Sequence, residues 1–280
     1  MERVQFQQEQ MLAELKDLVD KKLFTESETK QIFKKRTGFE IALVRRVANK
    51  SDFLRYLAYE MGLEQLRRKR AERLKIARGP STVSDYALVK RQFQILERAV
   101  KKFKSDVDLW IQYIQVAKRE RARSLVGKIT ARALQLHPNE PKLYILAASH
   151  EIENLSPSAA RTLLQRGLRL NKESIELWKE YVKMELGYIE TVRRRWDVLG
   201  IPAEDGEEGA AAARKEIVQG GIVKSVMTNA VKATKTIRMV SELQKVIESY
   251  GMSGELREAL LVDLYGLWKE HMDARDENTR

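Results

Sequence analysis

The chain contains no cysteine and only three histidines, His137, His150 and His271. That removes a disulfide framework, a thiol nucleophile and any Cys-ligated zinc. No two histidines stand at the i, i+4 spacing of a helical metal pair, so no metal or cofactor is expected. The absence of cysteine is compatible with a reducing compartment. Proline is scarce, at 5 in 280 residues, so little interrupts a helix. No run of about 18 apolar residues occurs, and no membrane-spanning helix is expected. The polar start MERVQFQQEQ lacks the apolar core of a secretory signal. Nucleophile elbow, phosphate loop and catalytic His–acid pair are missing too. The expectation is a protein that is not an enzyme and takes no small-molecule substrate.

What is present is charge and helix formers. Charged residues make up 33% of the chain, against about a quarter in ordinary domains. The 52 Lys+Arg against 40 Asp+Glu leave +12 and a pI near 9.7. Such an excess points to a polyanionic partner, either nucleic acid or an acidic protein face. The plainer reading is a soluble protein with many basic helix faces. Leu, Ala, Glu, Lys, Arg and Gln dominate, which favours an all-α fold.

A repeat organises the middle of the chain. Trp110, Tyr144 and Trp178 are each 34 residues apart, and so are Arg98, Arg132 and Arg166. The period holds two helices. Glu173–Leu186 has helical apolar spacing at Ile175, Trp178, Tyr181 and Val182. Ala159–Leu170 carries Leu163, Leu164, Leu168 and Leu170, preceded by an N-cap Ser156 and an N1 Pro157. Asn171 and Lys172 form the turn. A single pair cannot bury its apolar face, so stacking is required, giving an α-solenoid of stacked antiparallel helix pairs.

The first helix of each unit reads aromatic, often aromatic again at three, and Glu at seven. Phe53, Tyr56 and Glu60 fit, as do Trp178, Tyr181 and Glu185. Tyr144 and Glu151 fit, while Trp110 and Tyr113 are followed by Ala117 in place of the Glu. This pattern resembles the HAT (half-a-tetratricopeptide) repeat of RNA-processing assemblies, which implies scaffolding. These aromatics are read as interface core. The Glu and Arg residues are read as pairs that fix register between helices.

Residues 1–82 form a helical N-terminal block. Glu2–Lys22 is one helix, with Phe6, Met11, Leu12, Leu15, Leu18 and Val19 as its stripe. Thr25–Glu28 is a capping box opening a second helix through Lys35, and Thr37–Glu40 resembles another, opening FEIALVRRVANK. Ser51 caps a helix running as far as Ile76. Its end holds Arg67, Arg68, Lys69, Arg70, Arg73, Lys75 and Arg78 against one acid, Glu72. The run reads either as a solvated, self-repelling helix end or as a contact for RNA phosphates or an acidic partner. No aromatic interleaves it, so base stacking is not suggested. Arg193, Arg194 and Arg195, before Trp196, form a second such cluster, read as a charged face beside a buried Trp or as a cation site.

After the solenoid at 83–199 the phase is lost. Residues 200–209, GIPAEDGEEG, read as an acidic, Gly-rich loop. Residues 210–280 read as further helices, degenerate or incomplete repeats, with Ile237, Val240, Leu243, Val246 and Ile247 as one stripe.

The strings TGFEIALVRRVANKSDFLRYLAYEMGLEQLRRKRAERL and WKEYVKMELGYIETVRRRWDVLGI resemble the U3 small nucleolar RNA-associated protein 6 family over roughly residues 1–201. The resemblance implies a nucleolar scaffold of the small-subunit processome and its UTP-B subcomplex. It implies WD-repeat propeller proteins and other UTP-B subunits as partners, with U3 snoRNA and pre-rRNA nearby and direct contact open. It also implies a longer repeat array than is present. A direct, general RNA-binding protein using basic helix faces is the alternative.

Overall fold

The computed structural model describes residues 2–47, 49–75, 82–200, 212, 214 and 216–277, with side chains at all of these except 2–7, 10 and 271–277. The helices are α1 (Glu2–Asp20), α2 (Glu26–Val44), α3 (Lys50–Arg73), α4 (Val83–Lys102), α5 (Val107–Arg119) and α6 (Arg123–Leu136). They continue with α7 (Pro141–Glu153), α8 (Pro157–Leu170), α9 (Ile175–Leu199), α10 (Gly221–Thr234), α11 (Ile237–Ser249) and α12 (Gly254–Glu277). No strand occurs among the described residues. The architecture is all-α and solenoid-type, built of stacked helix pairs behind a helical N-terminal block. Two compact units emerge, Met1–Ile129 and Thr130–Arg280. The boundary between these two units falls within α6.

In the first unit α1 packs on α2 and α4, α2 on α3, α3 on α4, and α4 on α5. Met11, Leu15 and Leu18 of α1 meet Ile32, Leu63 and Leu88 in one buried cluster. Thr25 and Glu28 complete the expected capping box: the Glu28 N–H donates to Thr25 Oγ1 (3.2 Å) and the Thr25 N–H to Glu28 Oε2 (2.9 Å). Two sequence boundaries are corrected. The second box at Thr37 does not open a helix, because α2 runs on unbroken. Thr37 Oγ1 donates to the Phe33 carbonyl one turn back (2.9 Å), so its hydroxyl serves the helix interior. Asn49, not Ser51, occupies the N-cap of α3, which ends at Arg73 with Leu74 as C-cap. Ile76 lies outside the described residues.

In the second unit α7, α8 and α9 pack mutually, α9 also carries α10 and α11, and α12 closes on both of these. Residues 221–264 hold a core of Val223, Met227, Val231, Val240, Leu243, Ile247, Leu260 and Leu264. Each such burial stabilises by about 1.5–3 kcal/mol. Ile237, expected on that stripe, is exposed, and Met239 is buried in the same helix.

The 34-residue period is sharper in the backbone than in the side chains. Phe103, His137 and Asn171 each donate their N–H to the carbonyl four residues back, all at 2.8 Å. Arg121 and Leu155 turn the chain through positive φ, at 56° and 59°. Directly after them Ala122 and Ser156 donate to Ala117 and Glu151 at 3.0 and 2.9 Å. The next such turn is due at Ile189, which instead lies buried inside the 25-residue α9. The period therefore stops because two helices that would be separate are fused. Gly200 ends α9 in the left-handed region, φ 62°. Residues 201–209 of the expected acidic loop lie outside the described residues.

Candidate functional site

The repeat aromatics are buried: Phe53, Tyr56, Trp110, Tyr113, Tyr144, Trp178 and Tyr181 are all at most 8% exposed. Trp110 donates its indole N–H to the Lys104 carbonyl at 3.1 Å, and Trp178 to the Lys172 carbonyl at 2.8 Å. Each Trp thereby holds the turn six residues before it. Tyr181 accepts from Gln165 Nε2 at 2.9 Å. Phe53 meets Phe103 edge-on, with ring centroids 5.8 Å apart. Tyr144 lies under Gly167, where a Cβ would stand 2.8 Å from its Cγ. These contacts position the helices.

Two of the three glutamates of the pattern, Glu60 and Glu185, pair with arginines, but with different ones from those in the 34-residue series. Arg36 donates from Nε and Nη2 to Glu60 at 2.7 and 2.8 Å, and from Nη2 to Glu14 at 3.0 Å. Arg91 donates to the other oxygen of Glu14 at 2.8 Å. Arg36 and Glu60 are fully buried, Glu14 and Arg91 nearly so. Burial opposes the Arg36 charge, yet Glu60 and Glu14 overcome it and raise its pKa above the ordinary value. Burial raises Glu60, against the pull of Arg36. Burial likewise lifts the Tyr56 phenol, with Glu60 adding to it.

The same bidentate contact recurs in the second unit, where Arg161 donates to Glu185 at 2.6 and 2.7 Å. In both cases the Arg stands 24 residues before the Glu, a spacing legible in the sequence. Residue 127, 24 before Glu151, is Gly127; Glu151 is half-buried and makes no ion pair among the described residues. Arg98 is tied to Glu40 at 2.8 Å, while Arg132 and Arg166 are exposed.

The basic clusters fare unevenly. Arg67 binds Glu64 (2.8 Å) and lies 3.6 Å from Asp85. Arg68 binds Glu64 and Glu120. Arg70 binds Glu28 (2.7 Å) and the Leu23 carbonyl (2.9 Å), and stacks over Phe24. Lys69, Arg73 and Lys75 are exposed without ion pairs among the described residues, and Arg78 lies outside those residues. Arg193, Arg194 and Arg195 are exposed on the last turns of α9, Arg194 reaching back to Glu190 at 2.8 Å. Trp196 is half-buried, not buried, with the Arg214 guanidinium 6.0 Å from its ring.

A groove of about 840 Å³ opens between α8, the start of α9, and α10. Trp178, Tyr181, Leu168 and Val226 line it, and Arg169, Lys172 and Lys232 stand exposed at it against Glu216. No group of three or more metal-ligating side chains occurs among the described residues, nor a helix long and apolar enough to cross a membrane.

Residues 8–92 match the family model for U3 small nucleolar RNA-associated protein 6. The protein of that name from Schizosaccharomyces pombe is 39% identical over 241 residues, spanning 86% of this chain and 48% of that one. The chain belongs to the U3 small nucleolar RNA-associated protein 6 family. The family homologue of Homo sapiens is 30% identical over 267 residues, 95% of this chain and 44% of its own. The chain thus spans about half the length of the curated family members it matches. Residues 91–219 match the model for Suppressor of forked protein (Suf). Among solved structures, the crystal structure of MamA protein aligns with a TM-score of 0.33 at 10% identity, over 80% of this chain and 93% of that one. That likeness is too low to bear on function.

Proposed function

We propose that the chain is a non-catalytic scaffold subunit of a nucleolar pre-ribosomal ribonucleoprotein, the U3 particle of the small-subunit processome. It supports pre-18S rRNA processing and small-subunit assembly through protein contacts, with WD-repeat propeller proteins and other UTP-B subunits as partners. The name of the curated relatives, U3 small nucleolar RNA-associated protein 6, supports an assembly that contains U3 snoRNA. The observation that carries the scaffold reading is the groove between α8, α9 and α10. It combines a Trp–Tyr floor with three exposed cations, a surface suited to a protein segment. The repeat aromatics, with Glu60, Glu185 and Arg98, serve packing and register, which supports recognition rather than chemistry as the role.

A tagged chain expressed in cells and purified by affinity tests this. U3 snoRNA and WD-repeat proteins are expected in the eluate, and Lys172→Glu/Lys232→Glu is expected to lower protein recovery. Recovery of neither class above an untagged control rules the reading out. The alternative, a general RNA-binding protein working through α3, is weakened because Arg67, Arg68 and Arg70 are already neutralised within the fold.

A further inference from the structure

Among the described residues, an unneutralised positive surface lies along α2 and the residues just after it, whereas Arg67, Arg68 and Arg70 near the end of α3 are paired. Between Thr29 and Asn49 the only acid is Glu40, which is buried and bound to Arg98. Against it stand Lys30, Lys34, Lys35, Arg45 and Arg46, all exposed and without ion pairs among the described residues. Arg36, in the middle of this run, is the one cation withdrawn into the core.

Beside this surface lies a groove of about 490 Å³ between α2 and α3, within the range of ligand-sized sites (roughly 300–1,000 Å³). Its floor is aromatic. Phe39 stacks on Tyr56, centroids 5.0 Å apart and planes 9° apart, so its position is fixed by the core. Tyr59 leans on Phe39, at 5.5 Å and 42°. Both Phe39 and Tyr59 are half-buried and line the groove. Lys35 Nζ stands 5.5 Å from the Tyr59 centroid. Arg45 and Arg55 complete the rim; Arg55 is tied to Asp52 at 2.6 Å but is 69% exposed. A Cβ on Gly38 would meet nothing within 4 Å, so that wall is open.

The geometry points to a single-stranded RNA site, in which one base stacks on the Phe39–Tyr59 pair and the flanking phosphates are held by Lys35 and Arg45. Aromatic faces among unpaired cations are the combination that binds single strands without sequence readout. The α3 run lacks the rings, and three of its arginines lack free charge. An acidic protein segment would use the cations without needing the rings, and Ile41 and Val44, exposed on the same helix, would serve it.

Fluorescence anisotropy of the full chain with a labelled oligouridine of about 12 nucleotides tests the site. Lys35→Ala/Arg45→Ala is expected to weaken binding about tenfold and to flatten the salt dependence by about 0.7 for each lost phosphate contact. Removing the same charge elsewhere, Lys16→Ala/Lys128→Ala, is expected to cost less than about twofold. Tyr59→Leu is expected to weaken oligouridine about fivefold and an abasic strand of equal length not at all. Equal losses in both double variants would reduce the site to bulk charge and overturn it. So would equal wild-type affinity for abasic and oligouridine strands. A glutamate-rich peptide that binds the wild-type chain as tightly as oligouridine, and loses as much in Lys35→Ala/Arg45→Ala, would assign the groove to an acidic protein instead. Should Tyr59→Leu unfold by circular dichroism, the wild-type abasic comparison and the two exposed double variants still decide the question.

Discussion

Arg36 is the residue on which the first unit turns. Its guanidinium holds two buried carboxylates, sharing Glu14 with Arg91 and holding Glu60 by itself among the described residues. Arg36→Met leaves the buried Glu60 without its ion pair, Glu14 keeping Arg91, and should cost about 3–5 kcal/mol in urea unfolding. Replacing the whole network with apolar residues is a different experiment and can be neutral. Glycines separate by what surrounds them. Gly167→Ala drives a methyl into Tyr144 and should destabilise by about 1–3 kcal/mol. Gly62→Ala, in the exposed middle of α3 with open space around it, should stabilise by about 0.5–1 kcal/mol.

Glu28 supplies a pH signature. The Arg70 side chain and the Thr25 backbone lower it from 4.5 to about 2. A lowered folded-state pKa means its stabilisation is fully present above about pH 4.5 and is lost as pH falls towards 2. The pair is partly exposed, so the effect is at most about 1 kcal/mol. The stability gap between wild type and Glu28→Gln should therefore be widest near neutrality and close by pH 2, measured by chemical unfolding across pH.

At the scale of the element, α9 is one helix with two environments. Through Ile189 it is packed on one side; from Thr191 to Leu199 no residue is buried, and Val198 is 86% exposed. Hydrogen exchange at 193–199 should outpace that at 177–189 by orders of magnitude, since only the latter needs tertiary contacts to break. Leu155, the left-handed turn between α7 and α8, is 90% exposed and contributes no packing. Leu155→Gly should stabilise by about 0.5–1 kcal/mol, because the strain of a left-handed leucine exceeds the entropy that glycine adds to the unfolded chain.

These elements show what the sequence displays and what it hides. Apolar spacing at Trp110, Tyr144 and Trp178 revealed the helix pairs, because burial of one face leaves a periodic trace. The continuity of α2 was hidden, because Thr37 can cap or donate to its own helix and only the neighbours decide. The network of Glu14, Arg36, Glu60 and Arg91 was hidden for a similar reason. Charged residues within helices look solvent-bound until a third helix covers them. The α2–α3 groove was hidden because its rings, Phe39 and Tyr59, sit on different helices. The density of cations at 67–78 does not tell which are matched: the fold pairs Arg67, Arg68 and Arg70 with acids on other helices or one turn back and leaves Lys69, Arg73 and Lys75 exposed.

At the scale of the molecule, net charge is a poor guide to where an anion meets it. The +12 total is the residue of a large internal cancellation in which arginines serve as structural cations. Among the described residues, exposed cations without an ion pair include Lys30, Lys34, Lys35, Arg45 and Arg46 on and just after α2, and Lys69, Arg73 and Lys75 at the end of α3. Salt should weaken RNA association steeply while leaving the buried Arg36 pairs untouched, since screening acts on exposed charge. Binding and unfolding measured in parallel from low to high ionic strength should therefore diverge.

The reach of the Glu14–Arg91 contact, 77 residues along the chain, also has a consequence for biosynthesis. A ribosome adding about 5–20 residues per second needs on the order of several seconds between making the carboxylate and making the guanidinium that closes its network. During that interval α1 and α2 exist without α4 to cover them, and Glu14 stays hydrated at the exit of the tunnel. The first unit is therefore expected to condense in one late step, when α4 has emerged, rather than helix by helix as it is translated.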